Sequence, residues 1–232
     1  MNTFISPSIP TIQKHWLWMV ANLGALFPLA WLIWDYTQGN LSVNPIADIT
    51  TRTGKAALIL LVLSLACTPV NILLGFAPVL NLRKSLGLWA FAYVSLHLLN
   101  FVGLDYAFNL QQIFGDALLD KRYILVGLAA FLLLTPLAIT STRGWMKRLG
   151  RNWKRLHRLV YLVGGLAVLH FLWLVKPSRL YEPLLYGVLV AFLLLLRTTR
   201  TRQTVTQWRR SLLGEKPSAP TRKPRPMATH IA

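Results

Sequence analysis

The chain alternates between long apolar runs and short polar connections. The runs are Trp16–Trp34, Ala56–Leu74, Leu86–Leu104, Tyr123–Thr140, Leu156–Val175 and Leu184–Leu196. Crossing the hydrocarbon core of a bilayer as a helix takes about 20 apolar residues, with a range of about 17–25. The first five runs meet that length. The sixth is shorter, with Tyr181 and Tyr186 at one end and Thr198 and Thr199 at the other to extend it. The pattern predicts an all-α polytopic membrane protein, a six-transmembrane-helix bundle over residues 15–199. A polar segment, 1–14, precedes it, and a basic tail, 200–232, follows. From Gly214 the tail is rich in proline and charge, a composition that favours disorder.

Composition supports the same class. Of the 232 residues 54% are hydrophobic and 14% are charged, against about 25% charged in a soluble domain, and the mean hydropathy is +0.47. A net charge of +18 would point to nucleic acid in a soluble protein. Its placement points elsewhere. With the N-terminus inside, the inner segments carry nineteen basic residues and the outer segments six, whereas six of the seven acids fall outside. This is the asymmetry that orients membrane proteins, and it predicts cytoplasmic termini. The basic side suits anionic lipid and also an acidic soluble partner. Trp16, Trp18, Trp31, Trp34, Trp145, Trp153 and Trp173 lie at or near run ends, as an interfacial aromatic belt does. Cys67 is the one cysteine, so an intramolecular disulfide and a CxxCH haem attachment are both excluded.

The chemistry lies in the histidines. An imidazole in hydrocarbon is costly and marks a functional site by default. His97 is on the third run and His170 on the fifth; both runs start inside, which puts the two at similar depth in the outer half. His157 lies thirteen residues before His170, about 20 Å nearer the cytoplasm. Two neutral imidazoles on different helices at one depth suit a b-type haem, whose iron commonly takes axial histidine. The plainer reading is a histidine bonded to a carbonyl or hydroxyl, with Tyr93 and Ser95 near His97. Zinc would want four ligands and a proton relay buried carboxylates; the membrane runs offer neither. His157 sits in a basic collar between Arg155 and Arg158, so it is either a surface histidine or the ligand of a second, inner haem with an unidentified partner. On an ideal helix it lies roughly 140° around from His170, so both face one direction only if the helix is distorted, with Gly164-Gly165 as the expected place.

Several of these stretches resemble one family. Arg83-Lys84-Ser85-Leu86-Gly87-Leu88-Trp89 followed by His97, and Arg155-Leu156-His157 with Tyr161 and then His170-Phe171-Leu172-Trp173, are similar to the third and fifth helices of the ferric reductase-like transmembrane family. Asn44-Pro45-Ile46-Ala47-Asp48, Thr53-Gly54 and Thr140-Ser141-Thr142 add to the likeness, which covers roughly residues 11–213. The resemblance implies a haem-bearing subunit of a periplasmic methionine sulfoxide reductase system in the bacterial inner membrane. Haem b and FMN would be its cofactors, with His97, His157 and His170 as haem ligands. Its partner would be a periplasmic molybdopterin reductase, and its electron donor the quinone pool or a cytosolic flavin reductase. Related oxidases use four histidines; the fourth is missing here from the third helix.

No nucleotide-binding motif follows the sixth run, so the expected role is one-electron transfer and not substrate chemistry. The alternatives are a quinone-linked cytochrome b or a metal reductase serving another partner, and a transporter or scaffold whose histidines are structural.

Overall fold

In the computed structural model the described residues are 11–212, and among them every regular element is helical. The tail predicted from Gly214 onward lies outside the described residues. Helix α1 (Thr11–Thr37) runs into α2 (Pro45–Leu74) through a capped turn. Asn44 accepts from the Ala47 N–H at 3.1 Å, Pro45 takes the first turn, and Gly75 closes the far end at φ 71° with its N–H on the Asn71 carbonyl. These are the start and stop signals a helix needs, a side-chain oxygen at one end and a left-handed glycine at the other. Helix α2 is the centre of the bundle. Half of its most apolar stretch is buried, against 11% for α1.

After a 3₁₀ turn (Ala77–Asn81), α3 (Leu82–Asn100) continues into one π-helical turn, Phe101–Asp105. Helix α4 (Leu110–Leu119) follows, then α5 (Tyr123–Ile139), α6 (Arg143–Leu149), α7 (Arg151–Leu156), α8 (Leu159–Leu174), α9 (Tyr181–Leu195) and α10 (Thr199–Leu212). The largest packing surfaces are α2 on α3 and α5 on α8. Leu61, Ala90, Tyr93, Leu134 and Val163 form the main core between these pairs, and Leu58, Leu65, Val168 and Val190 a second one reaching α9.

The expected six crossings are met in part. Among the described residues four stretches are long and apolar enough to span a membrane: His15–Thr37, Pro45–Leu74, Ala77–Asp105 and Arg151–Leu174. Helix α5 joins them as a fifth only with α6, and the two are bent by 96° at Thr140–Thr142. Helix α9 has fifteen residues, about 22 Å at the helical rise, short of the about 30 Å of hydrocarbon. Two further expectations are corrected. The connection 104–122 is not a plain loop, because it holds α4, capped by Asn109 accepting from the Gln112 N–H at 3.0 Å. The distortion between His157 and His170 falls at His157-Arg158, not at Gly164-Gly165. There α7 ends, Arg158 N–H bonds the Arg155 carbonyl in a tighter turn, and α8 begins at Leu159. Gly164 lies inside α8, buried against Leu65 and Val190, where it permits close helix packing.

The helices alternate in direction, so the bundle has two unlike ends. One gathers the N-termini of α2, α5 and α9 and the C-termini of α1, α3 and α8. Arg52 pairs there with both Asp35 and Asp48, tying α1 to α2, and Lys55 pairs with Glu182 at 2.7 Å, tying α2 to α9. The opposite end carries Arg83, Lys84, Arg197 and the collar from Arg143 to Arg158, with none of the described acids.

Candidate functional site

His97 sits in the last turn of α3 and His170 near the end of α8, both at the acid-bearing end. Their imidazole centroids are 6.2 Å apart with the planes at 89°. The Nδ1 atom of His97 lies 2.8 Å from the Thr50 carbonyl oxygen on α2, and that of His170 2.8 Å from the Tyr123 carbonyl oxygen on α5. A carbonyl oxygen only accepts, so each Nδ1 carries the proton and each Nε2 keeps its lone pair. The helix-borne rings are thereby fixed in tautomer and orientation, as a hydrogen bond from the far ring nitrogen fixes metal-binding histidines. The sequence suggested Tyr93 or Ser95 as partners. Both are engaged elsewhere, Ser95 with the Phe91 carbonyl and Tyr93 with Ala25 and Leu29 of α1.

The two rings line one cavity of about 460 Å³ between α2, α3, α5 and α8. Its walls are chiefly apolar, with Leu58, Leu61, Val94, Phe131, Leu134 and Phe171 among them. That volume lies within the about 300–1,000 Å³ of cofactor and small-molecule sites. Ile113 and Phe114 of α4 line it from the end of the bundle, so the helix missed in the sequence closes the site. Among the described residues no group of three or more His, Cys, Asp or Glu comes together, which leaves zinc without its usual ligand set.

His157 is not brought to this cavity. It lines a second one, about 330 Å³, at the basic end, together with Arg83, Lys84, Trp153, Tyr161 and Arg197. Its ring stacks on Trp153 at 4.1 Å, and its Nε2 is 3.1 Å from the Thr140 hydroxyl. That hydroxyl donates its one proton to the Pro136 carbonyl at 2.6 Å, so His157 Nε2 is the donor in their contact and its Nδ1 keeps the lone pair. This is the opposite tautomer to His97 and His170. Arg83 and Lys84 line the same cavity, and among the described residues no second imidazole does.

Residues 53–175 match the ferric reductase like transmembrane component family. The heme-binding subunit MsrQ of protein-methionine-sulfoxide reductase from Xanthomonas euvesicatoria is 50% identical over 190 residues, covering 81% of this chain and 86% of that protein. The protein of the same name from Caulobacter vibrioides is 42% identical over 186 residues, covering 80% and 88%. The chain belongs to the MsrQ family, within the ferric reductase-like membrane proteins. No solved structure matches it. The matched span runs from the residue before Gly54 to the end of α8, and so takes in His97, His157 and His170 and most of the lining of both cavities.

Proposed function

We propose that this chain is the haem-bearing membrane subunit of a methionine sulfoxide reductase system, with haem b held between His97 and His170. The observation that carries the reading is the 6.2 Å separation of two imidazoles in one apolar cavity. Imidazole–metal bonds are about 2 Å long, so a shared metal puts the ring centroids roughly 6 Å apart. Both Nδ1 atoms are occupied by carbonyls, so the free nitrogen on each ring is the one able to ligate.

Bound there, the haem supplies one-electron chemistry, ferric to ferrous and back. The residues do the rest. His97 and His170 would hold the iron, Leu, Val and Phe side chains would exclude water and help set the potential, and α4 would limit access from the nearer end. We place that end in the periplasm, with both termini cytoplasmic in the bacterial inner membrane and six crossings in all. The excess of basic residues at the other end supports this orientation. Electrons would enter from the quinone pool or a cytosolic flavin reductase and leave to a periplasmic MsrP-like molybdopterin reductase, for repair of oxidised periplasmic proteins. The name shared by the relatives supports this partner over that of a quinone-linked cytochrome b or a metal reductase.

His157 is the proposed ligand of a second, inner haem. It would serve through Nε2 only by releasing Thr140, and no other described histidine lines its cavity. FMN, the other cofactor of the resemblance, would find phosphate partners in the collar from Arg143 to Arg158. The test is haem and flavin quantification with reduced-minus-oxidised spectra on wild type, His97→Ala, His170→Ala and His157→Ala. The reading expects His97→Ala and His170→Ala to lose the same haem. Full haem content with unchanged spectra in either one rejects it.

A further inference from the structure

Two glycines stand against the paired imidazoles. A Cβ built on Gly54 of α2 would lie 3.0 Å from His97 Nδ1 and 3.1 Å from its Cε1. One built on Gly127 of α5 would lie 2.8 Å from both Nδ1 and Cε1 of His170. Real Cβ atoms essentially never come as close as the one on Gly127 would, and the contact at Gly54 is tighter than nearly all of them, so each ring is seated on a bare Cα atom. No other described glycine has a neighbour nearer than 3.3 Å to such an atom, and Gly24, Gly115, Gly144 and Gly165 have none within 4 Å.

The register is the same at both places. The carbonyl that accepts from His97 Nδ1 belongs to Thr50, four residues before Gly54. The one that accepts from His170 Nδ1 belongs to Tyr123, four residues before Gly127. In an α-helix the N–H of a residue bonds the carbonyl four residues earlier. Each imidazole therefore lies across one helical rung, ring against the glycine and Nδ1–H on the oxygen at the other end. A methyl on the glycine would occupy the space the ring needs to reach that oxygen. Glycine is also a poor residue for a helix interior, and no turn or positive φ calls for it at either position.

We infer that Gly54 and Gly127 are positioning residues, each seating one imidazole on the facing helix so that its Nδ1–H is held by a carbonyl and its Nε2 is presented to the cavity. The device occurs twice, once in the α2–α3 pair and once in the α5–α8 pair. The two helix pairs meet at the cavity, so the device sets the two Nε2 atoms from opposite sides. The inference rests on the reading that His97 and His170 are the haem ligands.

The test is Gly54→Ala and Gly127→Ala in the full chain, with Gly165→Ala of α8 as control. Readouts are haem per chain, the spin state of the ferric protein by electron paramagnetic resonance, and the reduction potential. Loss of the hydrogen-bond partner that orients a metal-binding histidine costs about 10–100-fold in affinity. Each alanine variant should weaken haem binding by about that factor and shift the retained haem from low-spin towards high-spin, with helix content unchanged. The effect should be larger at Gly127, where the approach is closer. Gly165→Ala should match wild type in all three.

If both glycine variants keep wild-type content, spin state and potential while His97→Ala and His170→Ala lose their haem, the positioning role is wrong and the ligand assignment stands. If the histidine variants keep the wild-type spectrum, the assignment fails and takes this inference with it. Should a glycine variant fail to fold, the doubles Gly54→Ala/His97→Ala and Gly127→Ala/His170→Ala decide. A double that folds shows that the clash is with the ring. A double that also fails shows that the glycine serves the packing of its helix, and overturns the inference.

Discussion

Asn100 is one turn beyond His97 on α3 and only 6% exposed. Its amide donates to the Ile46 carbonyl at 3.1 Å and to the Thr50 hydroxyl on α2. With His97 it makes a polar ladder between α2 and α3, at the point where α3 passes into its π turn. Replacing it by leucine leaves no orphan behind, because the Thr50 hydroxyl keeps its own bond to the Ile46 carbonyl at 2.8 Å. Interhelical hydrogen bonds in membranes average about 0.6 kcal/mol, so Asn100→Leu should cost about 1 kcal/mol in a detergent melt and keep its haem. Asn100→Asp should behave differently. An aspartate loses both amide donors and finds only the Thr50 hydroxyl proton, already given to the Ile46 carbonyl, so its poorly partnered buried carboxyl should cost more than the leucine does. Equal melting temperatures for the two variants would mean that this ladder does not join the helices.

Counting residues along the runs was enough to place His97 and His170 at one depth. It was not enough to find their partners, because the acceptors are main-chain oxygens of Thr50 and Tyr123, and any residue type supplies one. Gly127 carried a fainter signal, glycine in an apolar run without turn residues beside it, and Gly54, in the polar stretch before the second run, carried none from hydropathy. His157 was legible as a histidine in a basic collar. Its Nε2–H tautomer depends on a single proton of Thr140, which no spacing reveals.

At the scale of elements, the corners depart most from the sequence pattern. Periodicity and hydropathy located the runs, but α4 is apolar over ten residues only, too few to read as a run, and nothing apolar marks the bend after α5. The bend is made by hydroxyls. Thr140 returns its proton to Pro136, Thr142 caps α6, and the Trp153 indole donates to the Thr140 carbonyl at 2.9 Å. Helix α4 is held by Lys121, whose ammonium bonds Asp116 at 2.8 Å and the Tyr106 hydroxyl at 2.9 Å, while that hydroxyl donates to Asp116 at 2.7 Å. The ammonium, and then the phenol, hold the Asp116 carboxyl below the usual range. The same two partners, Asp116 first, raise Lys121, which stays charged at any ordinary pH. A carboxyl lowered by folding adds stability above its unfolded pKa and loses it as pH falls through the folded value. Amide protection of α4 should thus be flat from neutral pH down to about 4, the ordinary aspartate value, and decline only below it. Lys121→Met should lower protection at neutral pH and flatten the acid decline. A loss already complete at pH 6 would assign the hold on α4 to another group.

At the scale of the molecule, charge is arranged differently at the two ends, and the difference predicts how partners bind. At the histidine end Arg52, Lys55 and Lys121 are each paired with acids of the same face. The outer segments balance at six basic and six acidic residues. A face whose charges are internally compensated presents little net field, and screening has little to remove. At the basic end Arg83 and Arg197 donate to a threonine hydroxyl and to a tyrosine hydroxyl and a main-chain carbonyl, not to carboxylates. None of the described acids compensates the net charge there, so an anionic partner of that face is drawn by long-range attraction. With the protein in nanodiscs, the affinity of an MsrP-like reductase should change by less than about threefold between 50 and 200 mM salt, because complementarity of net charge chiefly sets association rate and its salt dependence. A flavin reductase or other acidic donor at the opposite face should lose affinity steeply over the same interval. If the reductase proves the salt-sensitive partner and the donor the insensitive one, the two faces have been assigned the wrong way round, and with them the direction in which electrons cross the bundle.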